Sequence, residues 1–448
     1  MDSTTELLQG IMGHVEARLR EELEREEPRS VSEMEERLQG LMRDIACFSV
    51  GRWLEEMDGK YVLPEVPCPC GQKAQYVRRR EGVIVTLFDR VRFRRAYYLC
   101  PHCHRGHYPL DERMGYQPGC LTPRLTSIAG QVGAALPFER ASDLLNHLCG
   151  ISLSENTIRR ATQGIGEEVL SQEEDWLAES QDPAGLLEHA RLPPARKPRR
   201  LYGSLDGVKV PMQNEWRELK IGCWYTEEDK VKAPFSMEAG ERARATQITY
   251  YADIAEAVDF GQLLWATGYQ RLAEQASELV FVADGAAWIW NLVQEHFPEA
   301  IQIVDWYHAV EYIAPVASAV FGENTPESQV WREQVRSDLW EGHFQEVLTA
   351  FEEWFGHSKA GPLARKAWTY YTNNRERMRY PEYRAKGLRI GSGTVESGCK
   401  QIGTQRLKVA GARWGVDGAR KVAKARAALL SAQWDTITAR MGCLPRAA

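Results

Sequence analysis

Leu279-Val280-Phe281-Val282-Ala283-Asp284-Gly285 is an unbroken apolar run that ends on an acid and a glycine. A helical pattern from Ala287 to Phe297 follows it, and a second run, Ile301-Gln302-Ile303-Val304-Asp305, ends on an acid in the same way. Short strands without polar alternation are buried on both faces, and strands that alternate with helices lie parallel in a sheet covered by those helices. Sheets of this kind place their ligands at the carboxyl ends of the strands, where both acids fall.

Working upstream, Leu201 to Val210 (LYGSLDGVKV) reads as a strand with Asp206 in its middle. Glu218 to Tyr225 and Gln247 to Tyr251 read as further strands, joined as an antiparallel meander, and a helix is expected around Phe260 to Glu274. Three meander strands followed by helix–strand units match the strand order of the ribonuclease-H fold and make Asp206 a neighbour of Asp284. The chemistry explains the acids. In-line displacement at a phosphodiester needs one metal to activate the attacking oxygen and another to stabilise the leaving one, roughly 4 Å apart, and magnesium prefers hard carboxylate oxygens. A third carboxylate is then required. Glu396 is the candidate, because Gly391 and Gly393 break the chain before it and put it in the first turn of a helix. An acid there also serves simply to complement the helix dipole.

Between Asp305 and Glu396 lie about 90 residues of helical pattern, with Trp331, Leu339, Trp340, Phe344, Phe351, Trp354 and Phe355 at amphipathic spacing. These aromatics read as the core of a helical insertion, with a base-stacking surface as the other reading. After Glu396 a basic helix running through Lys400, Arg406, Lys408, Arg413, Arg420, Lys421, Lys424 and Arg426 offers a phosphate-binding stripe.

The first half of the chain has a different character. At 448 residues two to four domains are expected. The net charge of −6 is unevenly spread: residues 1–60 hold 15 acidic and 8 basic residues, 72–105 hold 2 and 9, and 397–448 hold 2 and 10. Two basic regions on an acidic chain suit a protein that touches phosphates at chosen places. Residues 1–60 read as helices, with self-association as a role. Cys68-Pro69-Cys70-Gly71 and Cys100-Pro101-His102-Cys103 flank a β-rich stretch. Paired cysteines on strand turns can supply four thiolates to a zinc ion that substitutes for a core. The C-x-C spacing of the first pair keeps His102, His104 and His107 open as replacement ligands, and four unligated thiols are the bland reading. Arg78, Arg79 and Arg80, with Arg92, Arg94 and Arg95, make this ribbon a DNA-facing module. Phe138 to Thr162 resembles a helix-turn-helix: Ala141, Leu144, Leu145 and Leu148 form an apolar face, Gly150 turns, and Ser154 caps a helix carrying Arg159 and Arg160. Any two short packed helices share that pattern. The stretch 186–200, rich in proline and positive charge, reads as a linker.

The segments LDGVKV, FVADGAAWIWNLVQEHFPEAIQIVDWYH and IGSGTVESGCKQIG resemble the DDE insertion-sequence transposases of the ISKra type, and more loosely the Mutator-type transposases. The resemblance covers roughly residues 200 to 430, and the ribbon and helix-turn-helix upstream fit it. It implies that Asp206, Asp284 and Glu396 are the metal-binding triad, and that Asp305-Trp306-Tyr307-His308 is the D-x-x-H signature. The C-x-C spacing is its departure. Following the buried run into Asp305 by about one helical turn, His308 is expected beside the metal site, assisting without being an obligatory ligand, with a histidine packed between sheet and insertion as the bland reading.

The expected architecture is therefore multidomain α/β: a helical region (1–60), a zinc-ribbon-like module (61–110), a helix-turn-helix-like region (111–185), a linker (186–200), a ribonuclease-H-like catalytic domain (201–310 and 386–448) and an all-helical insertion (311–385). The expected function is a DNA transposase using Mg2+ (or Mn2+), with Zn2+ in the ribbon, acting as a homo-oligomer on terminal inverted repeats and target DNA. A non-catalytic DNA-binding regulator and a nuclease of the same fold are the rival readings. No apolar run approaches a membrane span and no signal core is present, so the cytoplasm is the expected compartment.

Overall fold

The computed structural model describes residues 3–59, 63–117, 119–232 and 241–442. The chain divides into two compact units, residues 1–168 with 435–448, and residues 169–434.

In the first unit, helices Ser3–Leu23 and Val31–Gly59 lie side by side. Arg18 Nε donates to Asp44 Oδ2 at 2.8 Å, and the His14 ring stacks on Phe48. An antiparallel sheet follows in the order β1 (Glu65–Pro67), β2 (Lys73–Thr86), β3 (Asp89–Leu99), β4 (Gly106–His107). Gly51 lets the second helix press on β3, since a Cβ there would stand 2.8 Å from the Arg92 carbonyl oxygen. Phe93, Leu110, Tyr116 and Cys120 close the core beneath it. Three further helices, Pro123–Ala135, Phe138–Cys149 and the start of Glu155–Gln181, bury Leu125, Ala141, Leu145, Ile151 and Ile158 against Val85 and Leu121. The predicted apolar face of the second of these is only partly used: Ala141 and Leu145 are buried, but Leu148 is 62% exposed.

The second unit is built on a mixed five-stranded sheet. β5 (Arg200–Pro211), β6 (Trp216–Lys232) and β7 (Glu241–Asp253) form the antiparallel meander, longer than the sequence pattern indicated. β8 (Glu278–Ala283) lies parallel beside β5, and β9 (Ile301–Val304) parallel beside β8, giving the order β7-β6-β5-β8-β9. Both faces are covered, as consecutive residues of β7 illustrate, because successive side chains point to opposite faces. Tyr251 stacks on Phe260 of helix Ala257–Gln270. Tyr250 donates its hydroxyl to the Thr394 carbonyl and meets Gly398 on the other face. Trp224 meets Phe281 and Phe297 edge-to-face in the first layer.

The region between β9 and Glu396 is helical, with helices Ile313–Phe321, Pro326–Glu341, Phe344–Glu352, Ala360–Asn374 and Tyr380–Ala385. Phe321, Trp331, Phe351 and Tyr371 pack on one another, so the aromatics are core. Two hydroxyls tie this layer to the sheet side: Tyr371 donates to the Ala309 carbonyl at 2.7 Å and Tyr380 to the Val304 carbonyl at 3.1 Å. The stretch 186–200 is more structured than its composition indicates, because helix Pro183–Arg191 runs into it and Lys197 Nζ donates to Ala190 O and Gln275 Oε1. Among the described residues no helix is long and apolar enough to cross a membrane.

Candidate functional site

Strand register assembles the acids. Gly203 of β5 pairs with Phe281 of β8, and Phe281 pairs with Gln302 of β9. Counting the same distance forward along each strand brings Asp206, Asp284 and Asp305 to one level on three neighbouring strands. A one-residue slip would turn each acid to the other face. Gly207 N–H donates to Asp206 Oδ1 at 2.7 Å, and Ala286 N–H to Asp284 Oδ1 at 2.9 Å. Burial holds the Asp206 carboxyl above the usual carboxylate range, and the Asp284 charge adds to this against hydrogen bonds from Cys399 and Gly207. Burial raises Asp284 too, reinforced by the charges of Glu218 and Asp305 and opposed by the Ala286 N–H and His308. Crowded, desolvated carboxylates make this end of the sheet the candidate site.

Glu396 arrives by a different route. Asp305 is fully buried and caps helix Trp306–Glu311, its Oδ1 accepting from His308 N–H at 2.8 Å. Its Oδ2 accepts from Ser392 N–H at 2.5 Å, and Ser392 Oγ donates to Glu396 Oε1 at 2.7 Å. Trp306 N–H meets the Ile390 carbonyl at 2.8 Å, so residues 390–392 are stitched to the end of β9. Helix Gly393–Gly398 starts there with Glu396 in its first turn, as its sequence predicts. The ligand atoms of Asp305, His308 and Glu396 lie within 4.8 Å of one another. For His308, burial pulls the pKa down, but the carboxylates of Asp305, Glu311, Asp284 and Glu396 outweigh it and leave the imidazole above its ordinary value. The sequence reading chose Asp206, Asp284, Glu396 and His308. It did not foresee the bridging role of Asp305, nor Glu218, whose carboxylate fills the space beside Gly207. The apolar run into Asp305 was the available signal for the former.

A cavity of about 460 Å3 opens beside these groups, lined by Asp284, His308, Glu311, Tyr312, Lys366 and Tyr370 among others. The helical layer therefore supplies one wall of the site and the sheet the other.

The cysteines of the first unit also converge. Cys68 Sγ lies 3.5 Å from Cys103 Sγ and Cys70 Sγ 3.7 Å from Cys100 Sγ, and all four sulfurs fall within 4.8 Å of one another. Tight turns achieve this despite the C-x-C spacing: Cys68 N–H donates to Gln72 O, and Gly71 takes φ +85°. Backbone N–H groups of Cys103 and His102 hold the Cys100 thiol down at about 6. His107 is buried with Nε2 3.2 Å from Cys68 Sγ, whereas His102 and His104 are exposed.

The basic residues divide into surface and structural groups. Arg78 is exposed, Arg79 reaches Asp58 at 3.6 Å, and Arg80 stacks on Tyr97 at 3.8 Å, along one open concave surface shared with Arg94. Arg95 is not DNA-facing, because it is 2% exposed and paired with Asp111 at 2.5 Å. Arg159 is bonded along its own helix to Asn156 and Gln163, and Arg160 is half-buried. Lys400, Lys408 and Arg413 are exposed. Arg406 is a correction: it is 1% exposed over the Trp414 ring, and burial with the nearby Arg426 charge lowers its pKa to about 10. Arg420 and Lys424 likewise leave the expected phosphate stripe, Arg420 gripping Asp253 with two bonds and buried Lys424 bonding Glu173. The stripe is interrupted because the chain is not one helix: a π-helical segment, Cys399–Leu407, is followed by a turn and then by helix Val416–Leu430, whose inner face must pair its charges.

Among solved structures, the Drosophila P element transposase strand transfer complex is similar over 74% of this chain and 83% of that one, with 9% identity and a TM-score of 0.23. Among curated proteins, the UPF0236 protein in the vanSb 3' region of Streptococcus gallolyticus is 22% identical over 401 residues, covering 87% of this chain and 80% of the relative. The model of an uncharacterised protein family, UPF0236, spans residues 25–440, and the chain belongs to that family.

Proposed function

We propose that this chain is a DNA transposase of an insertion sequence, with a ribonuclease-H-like catalytic domain that cuts and joins strands by in-line phosphoryl transfer. One observation carries the reading: strand register levels Asp206 with Asp284, and the Asp305–Ser392 link brings Glu396 to the same end of the sheet. The strand order, with β6 alone running against the other four, supports the ribonuclease-H-like assignment.

Hard carboxylate oxygens suit magnesium or manganese, so Asp206, Asp284 and Glu396 are the proposed ligands, and the ions would neutralise charge building on the phosphate. Asp305 acts differently, since both its oxygens are used in holding His308 and Ser392. His308 is suited to donate to a scissile phosphate oxygen, a bond that strengthens as charge develops. Cys68, Cys70, Cys100 and Cys103 are the proposed zinc ligands, four soft thiolates in a closed set, with His107 buttressing Cys68. The partners are DNA ends and target DNA, bound by a homo-oligomer.

The test is a joining assay with the full chain, Mg2+, labelled DNA bearing the element's ends, and a target plasmid. Cleaved and joined products are expected, and both should vanish in Asp284→Asn while DNA binding persists. Cleavage without joining would make the protein a nuclease of the same fold. Binding without either would make it a regulator.

A further inference from the structure

A second cavity, of about 560 Å3, continues the one beside the acids, and Gly285, Tyr312, Lys366 and Tyr370 line both. Its chemistry is the reverse of its neighbour's. Arg365, Lys366 and Arg377 face it together with Asn291 and Asn373, and no carboxylate is among its lining residues. Arg377 is held in place by Gln302 and Asn374 and stacks 4.9 Å over Trp290. Trp290 is only 3% exposed, yet among the described residues its indole N–H has no acceptor and the Tyr370 hydroxyl at the junction has no partner. A buried donor left unsatisfied is uncommon in a folded protein, and a ligand in the adjoining cavity is one source of the missing acceptor.

The wall between the two cavities is aromatic. Tyr312 and Tyr370 stack at 4.1 Å with Lys366 Nζ 5.7 Å over the Tyr312 ring. Gly285, next to Asp284, lies flat against Tyr370, where a Cβ would come within 2.1 Å of the ring. The passage from the acids into the cationic cavity thus depends on the residue after the acid having no side chain.

We propose that the second cavity holds one DNA strand next to the scissile bond. A backbone phosphate there accepts from Trp290 Nε1–H and meets Lys366 and Arg365, and an adjoining base lies against the Tyr312–Tyr370 pair. A cavity of this volume fits groups of small-molecule size, which selects a single strand over a duplex. Cations that track the backbone, beside aromatics that take any base, are the general means of binding single strands. This assignment rests on the transposase reading and adds to it the path of the strand.

The experiment measures anisotropy of a labelled single-stranded oligonucleotide of about 12 nucleotides on the full chain, with Ca2+ in place of Mg2+, over a series of salt concentrations. Replacing two exposed cations in Arg365→Gln/Lys366→Gln should weaken binding about tenfold and reduce the slope of log affinity against log salt by about 1.4. Trp290→Phe should weaken it about threefold with an unchanged slope, because the donor lost is uncharged. Duplex affinity and the melting curve of the double variant should stay as in the parent. Parental single-strand affinity and slope in the double variant would overturn the assignment, and so would an equal loss on duplex. Trp290→Phe can disturb packing, but the double variant alters only exposed side chains and decides the matter alone. Should the parent prove unable to cut DNA while the double variant still loses strand binding, the transposase reading falls and the strand site stands.

Discussion

Cys68, Cys70, Cys100 and Cys103 come together through two tight turns on neighbouring strands, and their sulfurs meet although the first pair has the shorter spacing. Asp206, Asp284 and Glu396 belong to three separate elements, and two of them meet only because β5 and β8 pair in one register. The cysteine cluster is soft and backed by a buried histidine, which suits the proposed zinc. The acids are hard, Asp206 and Asp284 are largely desolvated while Glu396 is exposed, and Asp284 lines a cavity, so their mutual repulsion is a cost that a bound cation would relieve. Local geometry builds the first, and long-range packing builds the second. Each can therefore be broken without the other.

The largest expected effect is on chemistry. Asp206→Asn, Asp284→Asn or Glu396→Gln should each slow strand cleavage by about 10³-fold or more in single-turnover assays, with binding retained. The same acids should reveal themselves in stability. Because burial raises Asp206 and Asp284 in the folded state, their contribution to stability is fully present below the unfolded carboxylate value of about 4 and is lost as pH rises through the folded value. Metal-free protein should therefore melt lower at neutral pH than in mild acid on their account. Either asparagine variant should melt a few degrees higher at neutral pH, and Mg2+ should raise the melting temperature of the parent but not of the variant. A variant that melts lower than the parent at neutral pH would show the two acids to be structural.

Next comes the cysteine cluster. Metal analysis should find about one zinc per chain, and Cys100→Ser or chelation should lower the melting of the first unit by roughly 10 °C. A well-ordered ribbon after chelation would remove the distinction between the two clusters.

Smaller effects probe the link that carries Glu396. Ser392→Ala deletes the hydroxyl bonded to Glu396 and should slow cleavage about tenfold, with more Mg2+ needed for half-maximal rate. His308→Gln compared with His308→Ala separates a reacting imidazole from a packed one: loss of cleavage with an unchanged melting curve in both marks the former. Smallest of all is the split among the basic residues. Lys408→Ala should weaken DNA binding a few-fold and leave melting unchanged, whereas Arg406→Met should alter melting and leave binding alone, because only Lys408 is exposed.

Hydrophobic periodicity alone located β5 with Asp206 in its middle, β8 and β9 with Asp284 and Asp305 just past their ends, and the helical region after them, since a doubly buried strand has few other ways to be written. Paired cysteines beside proline and glycine announced their cluster for a similarly local reason. Charge was the poor guide. Arg95, Arg406, Arg420 and Lys424 look like phosphate ligands in one dimension, but Asp111, Asp253, Glu173 and the Trp414 ring claim them. A run of basic residues does not tell which side chains face inward. Helix Val416–Leu430 buries Lys424 only because β7 and Glu173 pack on it, and both lie far away in the sequence. The roles of Asp305 and Ser392 were decided the same way. Aspartate ends an apolar run in either case, and only the return of residues 390–392 to β9 turns it from a second-strand acid into the cap that fixes Glu396.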